Sequence, residues 1–102
     1  MSKKLDLLQD LILGEDGFLI KLRMGDGLDE EKYNATCEII KEITVEWREK
    51  DVIPKKAAIL FVDLYRSMIS FAKWNGEKEE EKIIEAAINI SGLIREFLEQ
   101  PK

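Results

Sequence analysis

The chain has 102 residues, which is the length of one domain built around one hydrophobic core. Its 16 Lys and Arg residues against 21 Asp and Glu residues give a net charge of −5, which disfavours nonspecific binding to nucleic acid or anionic lipid and favours a basic partner. The absence of histidine excludes the commonest general base, histidine-activated nucleophiles and the Glu-x-x-His ligands of di-iron bundles. The single cysteine, Cys37, excludes an internal disulfide and favours a cytoplasmic location.

The N-terminal segment predicts a short helix over residues 3–13. Its apolar residues recur at helical spacing: Leu5, Leu8, Leu11 and Ile12. Asp6, Gln9 and Asp10 interrupt the apolar pattern and no small-residue cleavage site follows, so we expect no signal peptide. No run of about 18 apolar residues occurs, so no integral membrane association is expected.

Residues 18–24 fit two structures. Apolar residues alternate along the segment as in a strand, yet Phe18, Leu19 and Leu22 also continue a helical pattern. Because no second strand pattern is available for pairing, we favour a helical turn or an irregular packing segment. The following Gly25-Asp26-Gly27 is too short and too acidic to bind phosphate, and it predicts a turn.

A long second helix is predicted over residues 29–50. Asp29 can cap its first amides, and Glu30 and Glu31 suit the positive end of the helix dipole. One predicted face is buried and comprises Tyr33, Thr36, Cys37, Ile39, Ile40, Ile43, Thr44 and Trp47. The opposite face is polar and comprises Asn34, Glu38, Lys41, Glu42 and Glu49. The Cys37 thiol is therefore expected to be a small core group, not a reactive nucleophile.

The third helix follows a linker at residues 51–53, begins near Pro54 and continues to Trp74. Its polar side spans roughly 120°. This stripe comprises Lys55, Lys56, Asp63, Arg66, Ser67, Ser70 and Lys73. The remaining apolar arc of roughly 200° predicts that three neighbouring helices cover it.

The fourth helix is predicted over residues 77–99, after the break at Asn75-Gly76, and Pro101 marks its end. The four helical pieces predict an all-α fold: an antiparallel four-helix bundle with a short first helix and three longer helices, in which residues 1–102 form a single domain. Two broad apolar faces in so small a chain leave apolar surface to cover, which makes a homodimer a secondary hypothesis.

Charge is segregated among the predicted helices. Residues 29–49 contain three bases and seven acids (3 − 7 = −4), and residues 77–99 give the same sum. Residues 55–74 contain four bases and one acid (4 − 1 = +3). Acidic helices therefore flank one basic stripe.

Two surfaces are candidate partner-binding sites. The first is a strip on the third helix, where Arg66 and Trp74 are residue types enriched at binding hot spots. The strip comprises Asp63, Arg66, Ser70, Lys73 and Trp74. Its simpler interpretation is a surface ion pair between Asp63 and Arg66, which lie three residues apart.

The second candidate surface is the acidic face of the second helix, represented by Glu38, Glu42 and Glu49. Together with Glu46, these acids resemble half of a carboxylate site for magnesium in a nucleotide hydrolase. They lie opposite the buried face, however, and Asp63 alone does not supply a second acidic pair. We therefore expect no metal, no cofactor and no catalytic residue.

Between Trp47 and Leu98, the sequence has a proline-opened helix, an aromatic-rich apolar middle, a short polar turn and an acid-opened helix. This half of the chain resembles the helix-turn-helix half of bacteriocin immunity proteins of lactic acid bacteria. The resemblance implies a small intracellular four-helix bundle that neutralises a toxin by binding, without catalytic residues.

The leading functional hypothesis is a noncatalytic protein of immunity or antitoxin type, whose acidic helices engage a basic protein. The second hypothesis is a regulatory or adaptor bundle, monomeric or dimeric, that acts through the basic stripe of the third helix. The third is the carboxylate–magnesium hydrolase. No nucleic-acid partner is expected.

Overall fold

The computed structural model of the protein describes residues 2–47 and 55–99. Five α-helices and one 3₁₀ turn are present in these ranges. They are α1 (Ser2–Leu13), α2 (Phe18–Arg23), α3 (Glu30–Glu46), α4 (Lys55–Ala72), the 3₁₀ turn (Lys73–Asn75) and α5 (Glu77–Leu98). The predicted all-α four-helix bundle is confirmed, and the ambiguous segment after Gly17 is helical.

The four long helices alternate in direction along the chain. Lys4 of α1 pairs with Glu42 at 3.2 Å and with Glu46, near the end of α3, so α1 and α3 are antiparallel. A tight turn joins α4 to α5 and makes them an antiparallel hairpin. The predicted antiparallel arrangement of consecutive helices is therefore confirmed.

Helices α3 and α5 lie side by side and run in the same direction. Glu30, the first residue of α3, pairs with Lys82 in the second turn of α5 at 2.8 Å. At the other end, the ring of Trp47, which follows α3, meets that of Phe97 in the last turn of α5, with centroids 5.4 Å apart. Around the bundle the order is α1, α3, α5 and α4, and the short α2 packs on both α1 and α4. The chain therefore crosses the bundle between α3 and α4.

The core contains the predicted buried side of α3 residue for residue, from Tyr33 to Trp47. The inner side of α4 contributes Ala57, Leu60, Phe61, Leu64, Met68 and Ala72. Burial of these apolar side chains is the main term that holds the bundle together. Among the described residues, the buried polar side chains are Thr36 and Thr44. Each donates its hydroxyl to the backbone carbonyl four residues earlier.

The predicted start of α3 is confirmed by its cap. The Asp29 carboxylate accepts a hydrogen bond from the Lys32 N–H at 3.1 Å. The end of α3 differs from the prediction: the helix stops at Glu46, because the backbone of Trp47 (φ −100°, ψ 12°) leaves α-helical geometry. The predicted linker at residues 51–53, Pro54 and Pro101 lie outside the described residues.

The end of α4 also differs from the prediction. The α-helix stops at Ala72, and Trp74 belongs to the 3₁₀ turn. The Asn75 side-chain amide donates to the Phe71 carbonyl at 2.8 Å, which is the acceptor that an Asn75 N–H would use in a continued α-helix. A side chain thus replaces the backbone donor at this helix end.

The Asn75 side chain also fixes the loop between α2 and α3. Its amide donates to the Leu22 carbonyl at 2.9 Å, and its oxygen accepts from the Gly27 N–H at 2.7 Å. The predicted turn at Gly25 and Gly27 is present, with φ angles of 80° and 84°. A Cβ at Gly25 would also lie 2.9 Å from the Trp74 carbonyl oxygen, so this close approach requires glycine.

Candidate binding surface on helix α4

The outer side of α4 exposes large apolar residues, of which Val62 and Tyr65 belong to the arc that the sequence pattern placed under cover and Ile59 lies within the polar stripe. Ile59 is 63% exposed, Val62 is 69% exposed and Tyr65 is 41% exposed. The prediction that neighbouring helices cover the whole arc is therefore wrong for this part of it. The inner side of the same helix is fully packed, so α4 has one core face and one uncovered apolar face.

The predicted strip lies on this uncovered side. Its five residues are all exposed: Asp63, Arg66, Ser70, Lys73 and Trp74. The Trp74 ring stacks on Phe71 with centroids 5.4 Å apart and an interplanar angle of 25°, which fixes the indole while 53% of the residue stays exposed. All five members of the strip are therefore accessible to solvent, three of them on α4 and two, Lys73 and Trp74, in the 3₁₀ turn that follows it.

The predicted ion pair within the strip is not formed. Among the described residues, no salt bridge within 4.0 Å joins Asp63 to Arg66, although both lie on the outer side of α4. Residues three apart on a helix are separated by about 60° around its axis. Asp63 lies at the boundary with α1, near Gln9 and Leu13, and Arg66 is exposed. The prediction of a pair is therefore wrong.

A groove of about 540 Å³ opens between α1 and α4, next to the strip. Its floor is formed by the buried side chains of Leu19, Leu60 and Leu64, and its apolar rim by Leu13 and Ile59. Its polar lining consists of Gln9, Asp63 and Ser67. Asp63 and Ile59 belong both to the groove and to the outer side of α4, so the two features form one continuous surface.

The groove exists because the short helices leave this boundary uncovered. Helix α1 has 12 residues and packs on α3 and α2, while α2 has 6 residues and covers only part of α4. The 18 residues of α4 therefore extend past the helices that flank it on this side. The short α1 and α2 thus leave the Ile59 side of α4 uncovered.

The second candidate surface is partly neutralised by local ion pairs. Glu42 pairs with Lys4 of α1, and Glu38 lies 3.6 Å from Lys41 on its own helix. Both acids are exposed, as predicted. Glu49 lies outside the described residues. These acids stabilise helix contacts as well as presenting negative charge.

Elsewhere, ionisable groups lie where helices are joined. Lys21 of α2 donates to Asp29 at 2.7 Å, and this bond, followed by the bond from the Lys32 N–H, lowers the pKa of Asp29. The same contact raises the pKa of Lys21. Lys82 of α5 pairs with Glu30 of α3, which raises the pKa of Lys82. These pairs position helix ends and lie away from the α4 surface.

The polar contacts between α3 and α5 are also structural. The Tyr33 hydroxyl donates to the Ala86 carbonyl at 2.9 Å and accepts from the Asn89 amide at 2.8 Å, and burial raises the pKa of Tyr33 to about 12. Burial likewise raises the pKa of the Cys37 thiol, which agrees with its predicted place in the core.

Within residues 2–47 and 55–99, no three carboxylate or thiol side chains converge as metal ligands would. In the same ranges, no helix combines the length and hydropathy needed to cross a bilayer. No protein-family model, no curated protein and no solved structure matches the chain.

Sequence reasoning found the polar members of the α4 surface and missed its apolar members, Ile59 and Val62. The signal for Ile59 was present in the sequence, since the helical projection places it between Arg66 and Ser70 inside the stripe. Val62 projects to the edge of the apolar arc, beside Lys55 and Lys73, and carried no such signal. Leu13 and Gln9 of α1 were also missed as groove residues. Nothing in their local pattern indicates that α1 leaves part of α4 uncovered.

Proposed function

We propose that this chain is a noncatalytic binding protein whose partner, another protein, docks on the outer side of α4 and in the adjoining groove. The supporting observation is the exposure of Ile59, 63%, within the polar stripe and of Val62, 69%, at its edge. Contiguous exposed apolar surface rimmed by polar groups is typical of protein interaction sites. It loses contact with water when a partner covers it, which favours association.

The polar members of the surface fit this role. Arg66 and Trp74 offer a planar cation and a flat ring, the residue types that contribute most often to binding energy. The stacking of Trp74 on Phe71 orients the indole before binding, so less side-chain entropy is lost on association. Such a surface suits a protein of immunity or antitoxin type, which acts by occupying a partner, and equally an adaptor bundle.

A second candidate is engagement of a basic protein by the acidic helices. It is favoured by the side-by-side arrangement of α3 and α5, each of which carries a net charge of −3 within its helical bounds (2 − 5 and 3 − 6). Negative charge from both helices then contributes to the same side of the bundle. Such attraction speeds association and weakens with salt.

Two matched valine variants test the proposal. Val62 on α4 and Val45 on α3 are exposed to similar extents, 69% and 62%, so Val62→Asp and Val45→Asp make the same chemical change on opposite sides of the bundle. We expect Val62→Asp to reduce recovery of a partner protein from the producing cell by roughly tenfold or more, and Val45→Asp to leave it unchanged. Thermal unfolding of both variants controls for stability.

The same capture experiment identifies the second candidate. If Glu38→Lys abolishes recovery while Val62→Asp does not, the partner binds the acidic helices. If neither Val62→Asp nor Arg66→Ala changes what is recovered, the proposed binding surface on α4 is wrong.

A further inference from the structure

The outer side of α4 has the spacing of a coiled-coil seam. Its members are separated by 4, 3, 4, 3 and 4 residues: Lys55, Ile59, Val62, Arg66, Ile69 and Lys73. The first five lie on α4, and Lys73 is the first residue of the 3₁₀ turn that follows it. Alternating separations of three and four keep a row of residues in line with a second helix laid along it. We call this row the outer seam. The inner side of α4 is already packed in the core, so the outer seam is a second helix-packing surface on the same helix.

The outer seam is accessible along its length. Lys55, Ile59, Val62, Arg66 and Lys73 are exposed, and Ile69 is half-buried against the core. From Lys55 to Lys73 it covers 18 helical steps (73 − 55), about 27 Å at the helical rise. A partner helix of about five turns, or roughly 18 residues, would cover it.

Charge identifies the kind of helix that fits. The three ionisable members of the outer seam are Lys55, Arg66 and Lys73, all positive, whereas the rest of the molecule is strongly acidic. Residues 55–74 carry a net charge of +3, whereas the whole chain carries −5. The remaining residues therefore carry a net charge of −8 (−5 − 3). A partner with negative charge is attracted to this surface, and a basic partner is attracted to the opposite side.

The same charges disfavour pairing with a second copy through α4. Two outer seams facing each other would place three positive residues against three positive residues, and like charges brought together at an interface oppose association. The occupant with complementary chemistry is therefore an acidic helix from another protein.

We propose that an acidic amphipathic helix of the partner lies along the outer seam, with apolar side chains against Ile59, Val62 and Ile69 and carboxylates beside Lys55, Arg66 and Lys73. This inference rests on the proposed function and specifies its partner. At the Ile59 end, the partner helix also covers the groove, where Leu13 supplies the opposite apolar wall. An arginine at a central seam position pairs with a carboxylate through two parallel hydrogen bonds and thereby fixes the register.

Two synthetic peptides of 18 residues test the proposal. Both carry leucines at coiled-coil spacing, and the remaining positions are Glu in one peptide and Lys in the other. In a titration followed by amide NMR spectra, we expect the acidic peptide to shift the signals of Ile59, Val62 and Arg66 and to leave Val45 unchanged. The basic peptide should bind α4 at least about tenfold more weakly.

A charge reversal with a matched control sharpens the result. Arg66→Glu should weaken binding of the acidic peptide by roughly tenfold, whereas Lys78→Glu, the same type of change at an exposed position of α5, should change it less than about twofold. Equal binding of both peptides, or no shift up to about 1 mM acidic peptide, would overturn the proposal.

The outcomes separate this inference from the proposed function. If Val62→Asp abolishes partner recovery but the acidic peptide does not bind, the surface is correct and the acidic helix is wrong. Val62-dependent binding to vesicles of anionic lipid, with no peptide binding, would assign the surface to a membrane. Val62-dependent dimerisation in sedimentation would assign it to a second copy.

Discussion

The boundary between α3 and α5 differs from the boundary between α1 and α4. At the first, a hydrogen bond from Tyr33 to Ala86 and the packed rings of Trp47 and Phe97 join two helices along their whole length. At the second, a groove separates helices that hardly touch, and Leu13 and Ile59 remain exposed on its rim. The comparison shows that tight packing is concentrated on one side of this small bundle, while the other side keeps apolar side chains exposed.

The largest expected effect is a loss of folding stability at the packed boundary between α3 and α5. Phe97 is buried and contacts the rings of both Trp47 and Phe61, at centroid distances of 5.4 and 5.5 Å. Phe97→Ala should therefore lower the free energy of unfolding by about 3–5 kcal/mol. Leu13→Ala, at the 49% exposed groove rim, should cost less than about 1 kcal/mol. Urea denaturation measures both, and similar losses would contradict the contrast between the boundaries.

A smaller loss of folding stability is expected at Asn75, which connects the α1–α4 side to the rest of the bundle. The Asn75 side chain makes three hydrogen bonds that connect α4, α2 and the loop before α3. Asn75→Ala should cost about 2 kcal/mol, because these backbone groups lose their partner where water has limited access. Asn34→Ala, at an exposed position of α3, is the control and should be nearly neutral. Equal unfolding midpoints for the two variants would show that Asn75 does not fix α2.

The third effect is a pH dependence confined to the α3–α5 boundary. Because the folded pKa of Tyr33, about 12, exceeds the ordinary value of 10.0, its neutral hydroxyl stabilises the fold fully below pH 10. This contribution is lost as the pH rises from 10 to about 12. We expect the stability difference between the protein and Tyr33→Phe to fall by roughly 1–2 kcal/mol across that window. A difference that stays constant would mean that Tyr33 ionises without disturbing the boundary.

The sequence predicted the elements of this structure better than their arrangement. All eight residues assigned to the buried side of the second helix, from Tyr33 to Trp47, are buried, because helical periodicity follows directly from residue spacing. The cap at Asp29 follows from local chemistry in the same way. The 3₁₀ turn was not predicted, since it depends on how the Asn75 side chain meets Leu22 and Gly27 in three dimensions.

The candidate site was predicted in part for the same reason. Charge and residue type located Arg66 and Trp74 on an outer strip, but the exposure of Val62 depends on where neighbouring helices end. Apolar character predicts that a residue favours burial, and it does not show whether a neighbour is long enough to bury it. The expected pair between Asp63 and Arg66 was wrong, because spacing permits such a contact without requiring it.

The most direct test of the account is the solvent exposure of the outer side of α4 in the isolated protein. Methyl NMR spectra recorded at high protein concentration with a soluble nitroxide report which side chains meet solvent. We predict that the methyl signals of Ile59 and Val62 broaden as strongly as those of Val45, while those of Ile40 and Leu64 stay sharp. Protection of Ile59 and Val62 to the level of Ile40 would mean that this side of α4 is already covered, and it would contradict the account.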